Sequence, residues 1–391
     1  MALRRVNTGG QRSYQYSHGA VRNRNGRIWL ADVLFSVTKV VEVSYSDDNG
    51  IHWSAAKQIS QNDSYDSYGP HMAIDGGGNV HCVWVDTSGA LQYSRHDDTA
   101  GPTSFTIPVA IATGLGAASQ PPRICIASNN KTLVISTSGT SAAPATYLYT
   151  YSSDNGVSWS GGGSVETITG LYGLCADSAG NIHFVFSKSD GAHLQIYHRK
   201  WTGAAFTAPT ALTADANFDQ DTPDIAVDTS DNLNVVWCGR HTGDNGNINP
   251  RFIQYSSGAW GAIVNIRDAT RLGVSYPTIS YASSSGYLYV MTLGGENGGL
   301  TDMVEQYTST NGGTSWSLTG SDISASSSSY PGLMYQRWPL WVLPATGWAL
   351  TYTNNNPTTD HDAVWCYDDA VLAWNDLASG GLIFIFAGPK V

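Results

Sequence analysis

One phrase recurs along the 391-residue chain and constrains it more than any other feature: a short apolar strand, a turn of Gly, Asn and Ser, then a second apolar strand. It runs from His71 to Asp75, through Gly76 to Asn79, into Val80 to Trp84. It returns from Leu174 to Phe186 and from Asp224 to Trp237, and in looser form at Ala20 to Leu30, Arg123 to Ile135, Thr278 to Met291 and Leu340 to Tyr352. Third strands follow, as at Leu91 to Ser94 and Leu194 to Tyr197, then a second turn and a fourth strand. Helical periodicity is absent. Repetition at this period, in four-strand units without linkers, is the signature of a radial all-β array. The expectation is an all-β, seven-bladed β-propeller over 17–379, with four-stranded antiparallel blades starting near 17, 70, 122, 172, 223, 277 and 339. An N-terminal segment, 1–16, and a C-terminal apolar strand and tail, 380–391, flank it. Leu382 to Phe386 is five apolar residues in a row between glycines, so it must be covered, by ring closure or by a partner subunit.

The second turn of each repeat carries a sharper motif. Ser46, Asp48, Gly50 and Trp53 fit S-x-D-x-G-x-x-W; Ser152, Asp154, Gly156 and Trp159 fit it again; Ser309, Asn311, Gly313 and Trp316 fit with Asn for Asp. Decayed versions occur at Asp97 to Phe105, Trp201 to Phe206 and Tyr255 to Trp260. The chain therefore resembles the Asp-box, or BNR-repeat, propellers of the sialidase-like superfamily. Short Ser and Asp side chains bond to nearby backbone N–H groups, Gly accepts a positive φ, and Trp packs on neighbouring strands. These residues are expected to be structural, not catalytic.

Propeller connectivity puts the loops between blades, and those between second and third strands, on one face. The ligand-binding candidates on it are Tyr68, Arg123, Arg240, His241, Tyr276, Tyr335 and Arg337. Convergent Arg forks suit acidic groups and Tyr rings suit sugar faces. The resemblance implies that a sialidase would need an Arg cluster, a Tyr–Glu nucleophile pair and an acid; the pair would be Tyr276 and Glu296, with Asp66 or Asp221 as acid. The F/Y-R-I-P phrase of sialidases is missing, and Glu296 sits among glycines in Gly294 to Gly299. The incomplete inventory favours a non-catalytic recognition or structural module over a secreted sialidase-like hydrolase or polysaccharide lyase.

Composition narrows the partners. Charged residues are 13%, with four Glu, and the net charge is −11. That disfavours duplex nucleic acid, whose phosphates need a basic footprint. No apolar run reaches the ~20 residues that span a bilayer. Five dispersed Cys without a C-x-x-C pair suggest buried thiols, neither disulfides nor a metal site, and no cofactor motif is present. His81 and His183 occupy equivalent strand positions and are read as packing residues. A Ser/Thr/Asn/Gly-rich surface without a signal peptide points to a virion (phage) surface or extracellular protein that binds a glycan or other subunits of an assembly.

Overall fold

The computed structural model describes residues 2–5, 11–12, 19–22, 26–35, 38–48, 52–61, 64–97, 104–115, 121–138, 145–168, 171–242, 247–267, 274–283, 285–295, 302–320, 349–355 and 361–367. Among them every regular element is a strand, and the strands form separate antiparallel sheets, mostly of four strands. Sheet 1 contains Gly19–Arg22, Ile28–Phe35, Val40–Ser46 and Lys57–Gln58, with Gln11–Arg12 beside Ile28–Phe35. Sheet 2 is Ser67–Ile74, Val80–Asp86, Leu91–His96 and Val109–Ala112. Sheet 3 is Arg123–Ile126, Thr132–Ser138, Ala145–Ser152 and Ser160–Ile168. Sheet 4 is Tyr172–Ala176, Ile182–Ser189, Leu194–Trp201 and Thr210–Ala211. Sheet 5 is Gln220–Val227, Leu233–Gly239, Asn249–Ser256, Ala259–Trp260 and Val264–Asn265. Sheet 6 is Val274–Ala282, Tyr287–Gly295, Asp302–Ser309 and Ser317–Gly320. Sheet 7 joins Ala349–Asn355 and His361–Tyr367 to Ala2–Arg5.

The core lies between sheets. One apolar cluster unites Trp29 and Val43 of sheet 1 with Met72 and Trp84 of sheet 2. Others link sheets 2 and 3 through Tyr93 and Val134, and sheets 3 and 4 through Tyr147 and Phe184. Sheets 4 and 5 meet through Val185 and Trp237, and sheets 5 and 6 through Val236 and Val290. Each second strand is thus covered on both faces, which is why Val80–Asp86 and Leu233–Gly239 are buried at every position instead of alternating. The first strands of sheets 1 to 6 touch their successors in order. Sheets packed face to face in sequence, with first strands innermost, make a propeller-like arrangement. Residues 2–5 and 11–12 are drawn into it: Ala2 pairs with Tyr367, Arg5 with Val364 and Gln11 with Phe35.

Two kinds of turn share the face away from the inter-sheet loops. Between first and second strands, Asp75, Asp177 and Asp228 each bond to an Asn four residues on, Asn79, Asn181 and Asn232, through backbone and side chain. The position before each Asn has a left-handed φ, filled by Gly78, Gly180 and, at 59°, Asp231. Asp231 uses its carboxylate to bind the backbone and hydroxyl of Ser178 in sheet 4. His81 and His183 are buried against the same turns, on Asp75 at 3.3 Å and Asp177 at 3.1 Å. Asn155 of sheet 3 donates to Asp75 of sheet 2 at 2.5 Å.

Between third and fourth strands, the Ser152 hydroxyl donates to Asp154 at 2.7 Å and accepts from the Gly156 N–H at 2.8 Å. Asp154 also accepts from the Ser158 N–H at 2.8 Å. Ser309, Asn311, Gly313 and Ser315 repeat these bonds, and Asp48 accepts from the His52 N–H at 2.8 Å. Gly50 lies outside the described residues. Trp53, Trp159 and Trp316 are only half-buried. Trp159 packs edge-on against Tyr93 of sheet 2 and Trp316 against Phe252 of sheet 5, so each ring clamps the preceding sheet. Among the described residues the fully buried tryptophans are Trp29, Trp84, Trp201 and Trp237. Among the described residues four cysteines are free, and burial pushes the thiol of Cys125 up to about 12.

Candidate functional site

The opposite face is shaped by prolines inside the first strands. Proline cannot donate to a ladder, so it marks a bulge where it enters a sheet. The register of sheet 2 shifts between Tyr68 and His71, that of sheet 5 between Asp221 and Asp224, and that of sheet 6 between Ser275 and Thr278. Pro70, Pro223 and Pro277 stand in these bulges. The residue before proline has φ 59° at Gly69 and 56° at Thr222. Tyr276 holds the equivalent place in sheet 6, whereas Tyr68 stands one residue earlier in its own sheet.

The bulges feed three polar clusters. Lys39, from the loop between the second and third strands of sheet 1, donates Nζ to Asp66 at 3.1 Å and to the Tyr68 hydroxyl at 3.0 Å. Tyr68 in turn donates to Asp66 at 2.9 Å. Burial works to raise the Asp66 carboxyl, but its bonds from Lys39 and Tyr68 outweigh it and hold the group low. A carboxylate held this way is a poor acid. In the second cluster Arg123 reaches Asp224 at 3.5 Å and lies over the ring of Tyr172. Tyr172 donates its hydroxyl to the carbonyls of Pro121 and Ile135. In the third, Asp221 accepts from the Ser187 hydroxyl at 2.6 Å, and burial pushes its carboxyl up.

A cleft of about 400 Å³ opens where the connection from sheet 4 enters sheet 5. Thr213, Ala214, Asp215, Gln220, His241, Arg251, Ile263 and Asn265 line it. Its entry loop is locked by Gln195 of sheet 4, a side chain buried to 1% exposure. Gln195 accepts from the Thr213 hydroxyl at 2.8 Å and the Asp215 N–H at 3.1 Å, and donates to the Asp215 carbonyl at 2.7 Å. Asp215 Oδ1 accepts from the N–H groups of Asn217 and Phe218, and Oδ2 pairs with His241 Nδ1 at 2.9 Å. Burial acts to raise the Asp215 carboxyl, but the His241 and backbone bonds prevail and hold it below the ordinary range. Gln220 accepts from Trp237 Nε1 at 2.8 Å and donates to the Arg240 carbonyl at 2.8 Å. Arg251 donates to Asn265 at 2.5 Å.

Of the binding candidates, His241 enters the cleft and Arg240 is exposed beside it. Arg123 is engaged with Asp224, and Tyr68 with Lys39 and Asp66. Tyr335, Arg337 and Glu296 lie outside the described residues. Asp215, Gln220, Arg251 and Asn265 escaped the sequence reading, because nothing in their local spacing announces that they share a wall. Among the described residues no cluster of His, Cys, Asp and Glu could hold a metal ion, and no helix is long and apolar enough to cross a membrane.

No family model and no curated protein matches the sequence. Solved structures do match the fold. A polysaccharide lyase of family PL25, an ulvan lyase, superposes with TM-score 0.62 at 8% identity, over 93% of this chain and 96% of that one. The BP39L lectin from Burkholderia pseudomallei gives 0.60 at 12% identity, over 91% and 97%. Polysaccharide lyase Uly1 gives 0.54 at 11%, over 92% and 91%. At these identities the likeness concerns the fold alone, an all-β propeller-like array.

Proposed function

We propose that the chain is a non-catalytic glycan-recognition module, built as a closed seven-bladed propeller with turns of the Asp-box type. The observation that carries the reading is the polar cleft beside sheet 5. Its volume suits a sugar unit, and its polar groups are positioned by buried Gln195 and by backbone bonds. Pairing of Ala2–Arg5 with His361–Tyr367 supports closure, since a ring must join its first and last units. The fold neighbours named as lyases and a lectin support a glycan as the ligand class. Absence of turnover is supported by the engagement of the candidate acids: Asp66 is tied to Lys39 and Asp221 to Ser187. Residence at an exposed surface, on a virion or outside a cell, is supported by a composition poor in Lys and Glu and rich in Ser, Thr, Asn and Gly.

A glycan array followed by product analysis of each hit tests the reading. Binding without cleavage is expected. Release of sialic acid or of an unsaturated uronate by the purified chain overturns the non-catalytic part; a blank array overturns recognition itself.

A further inference from the structure

Several of the polar groups that line the cleft are already engaged inside the protein. Thr213 spends its hydroxyl proton on Gln195, and Gln220 has both ends of its amide engaged, with Trp237 and with the Arg240 carbonyl. Arg251 is buried to 4% exposure and donates to the side-chain oxygen of Asn265. Asp215 has two backbone N–H bonds on Oδ1 and the His241 bond on Oδ2. A carboxylate carries about four lone-pair positions, so it retains accepting capacity on Oδ2. Pairing to Asp215 fixes the proton of neutral His241 on Nδ1 and leaves Nε2 as an acceptor, on a ring 61% exposed. The mouth of the cleft therefore offers the acceptors of Asp215 and His241 together with the Asp215 charge; the Arg251 cation also lines the cleft but is nearly closed off from solvent. Ile263, 45% exposed, adds an apolar strip.

From this imbalance we propose that the cleft takes a neutral, hydroxyl-rich sugar and discriminates against uronate, sialate and sulfate groups. Sugar hydroxyls bring the donors that Asp215 and His241 lack, and the C–H face of a pyranose suits Ile263. An acidic substituent brings acceptors only, and meets the Asp215 charge at short range, where repulsion is weakly screened. The proposal rests on the glycan-recognition reading and names its ligand class.

Titration calorimetry of the full chain against neutral, uronate-bearing, sialylated and sulfated oligosaccharides provides the test. Asp215→Asn and His241→Ala are run beside the parent, with their thermal midpoints as a check on folding. Asp215→Asn keeps an oxygen for the backbone bonds. Neutral sugars are expected to bind; Asp215→Asn is expected to weaken them about tenfold or more, the effect of losing one charge-assisted hydrogen bond, and His241→Ala by several-fold, the effect of losing a neutral one. Preferential binding of acidic sugars that Arg251→Met abolishes would refute the ligand class while leaving recognition intact. Neutral binding untouched by either cleft substitution would refute the site. If no sugar of any class binds, the underlying reading fails with it.

Discussion

The guanidinium of Arg123 and the carboxylate of Asp224 meet at 3.5 Å, joining sheets 3 and 5 across a sheet to which neither belongs. Gly173 of the intervening sheet makes this possible. A Cβ there would sit 3.0 Å from Asp224 Oδ1 and 2.9 Å from the Ile225 nitrogen. Asp224 also accepts from the Ile279 N–H at 3.1 Å, so one carboxylate of sheet 5 is tied to sheets 3 and 6. Gly173→Ala is expected to cost about 1–3 kcal/mol through overpacking against backbone. Arg123→Met is expected to cost about as much, because Asp224 keeps its charge and the Ile279 bond but loses its cation. Urea titration of both variants checks this; unchanged midpoints would remove the ion pair from the account.

Thr222 occupies a left-handed conformation that a β-branched side chain disfavours by about 1–2 kcal/mol. Gly69 fills the same place in sheet 2 without that strain. Thr222→Gly is therefore expected to stabilise by about 0.5–1 kcal/mol, the strain relief less the added freedom of the unfolded chain. Gly69→Ala is expected to destabilise by more than about 1 kcal/mol, because its Cβ would also lie 2.9 Å from Pro121 Cβ. Thermal unfolding of the two variants should move in opposite directions.

The turn clamps offer a third measurement. Trp159→Ala, which empties a half-buried site against Tyr93, should cost about 2–3 kcal/mol, below the range for a fully buried tryptophan. Asn155→Asp should cost about as much at neutral pH, since it sets a second carboxylate against buried Asp75. A neutral result for Asn155→Asp would show that sheets 2 and 3 do not depend on this contact.

Acidity at Asp221 gives a pH signature. Its folded pKa is raised by burial above the ordinary 3.8, so the folded chain holds its proton longer than the unfolded one. Stability then falls as pH rises from the ordinary value through the raised one, and the penalty persists above that window. Asp221→Asn keeps an oxygen for Ser187 and removes the ionisation. It should match the parent in acid and exceed it at neutral pH, read from denaturant midpoints at the two conditions. The opposite ordering would mean that the carboxylate is stabilised by its surroundings.

The repeat, the strand-turn-strand phrase and the Ser–Asp–Gly–Trp turns were legible because each is written in a contiguous stretch. Three prolines inside strand-like runs, Pro70, Pro223 and Pro277, were a readable sign of the bulges, and the sequence reading passed over them. The cleft was not legible in the same way. His241, Arg251 and Asn265 lie on different strands or loops of sheet 5, and Asp215 is placed by Gln195 from sheet 4. Lys39, alone in an apolar stretch, had no partner within sight until Asp66 was folded against it. Trp159 and Trp316 pack on a neighbouring sheet, on Tyr93 and Phe252, and yet stay half-exposed, a degree of burial that the turn motif does not specify.

Hydrogen–deuterium exchange of the chain, with and without a saturating glycan from the array, tests the central claim of a recognition cleft beside sheet 5 most directly. The account predicts slowed exchange in 213–220, 239–242 and 249–253, with little change elsewhere. Protection confined to the first-strand bulges at 66–70 and 221–224 would contradict it and move recognition to the Lys39 and Arg123 clusters.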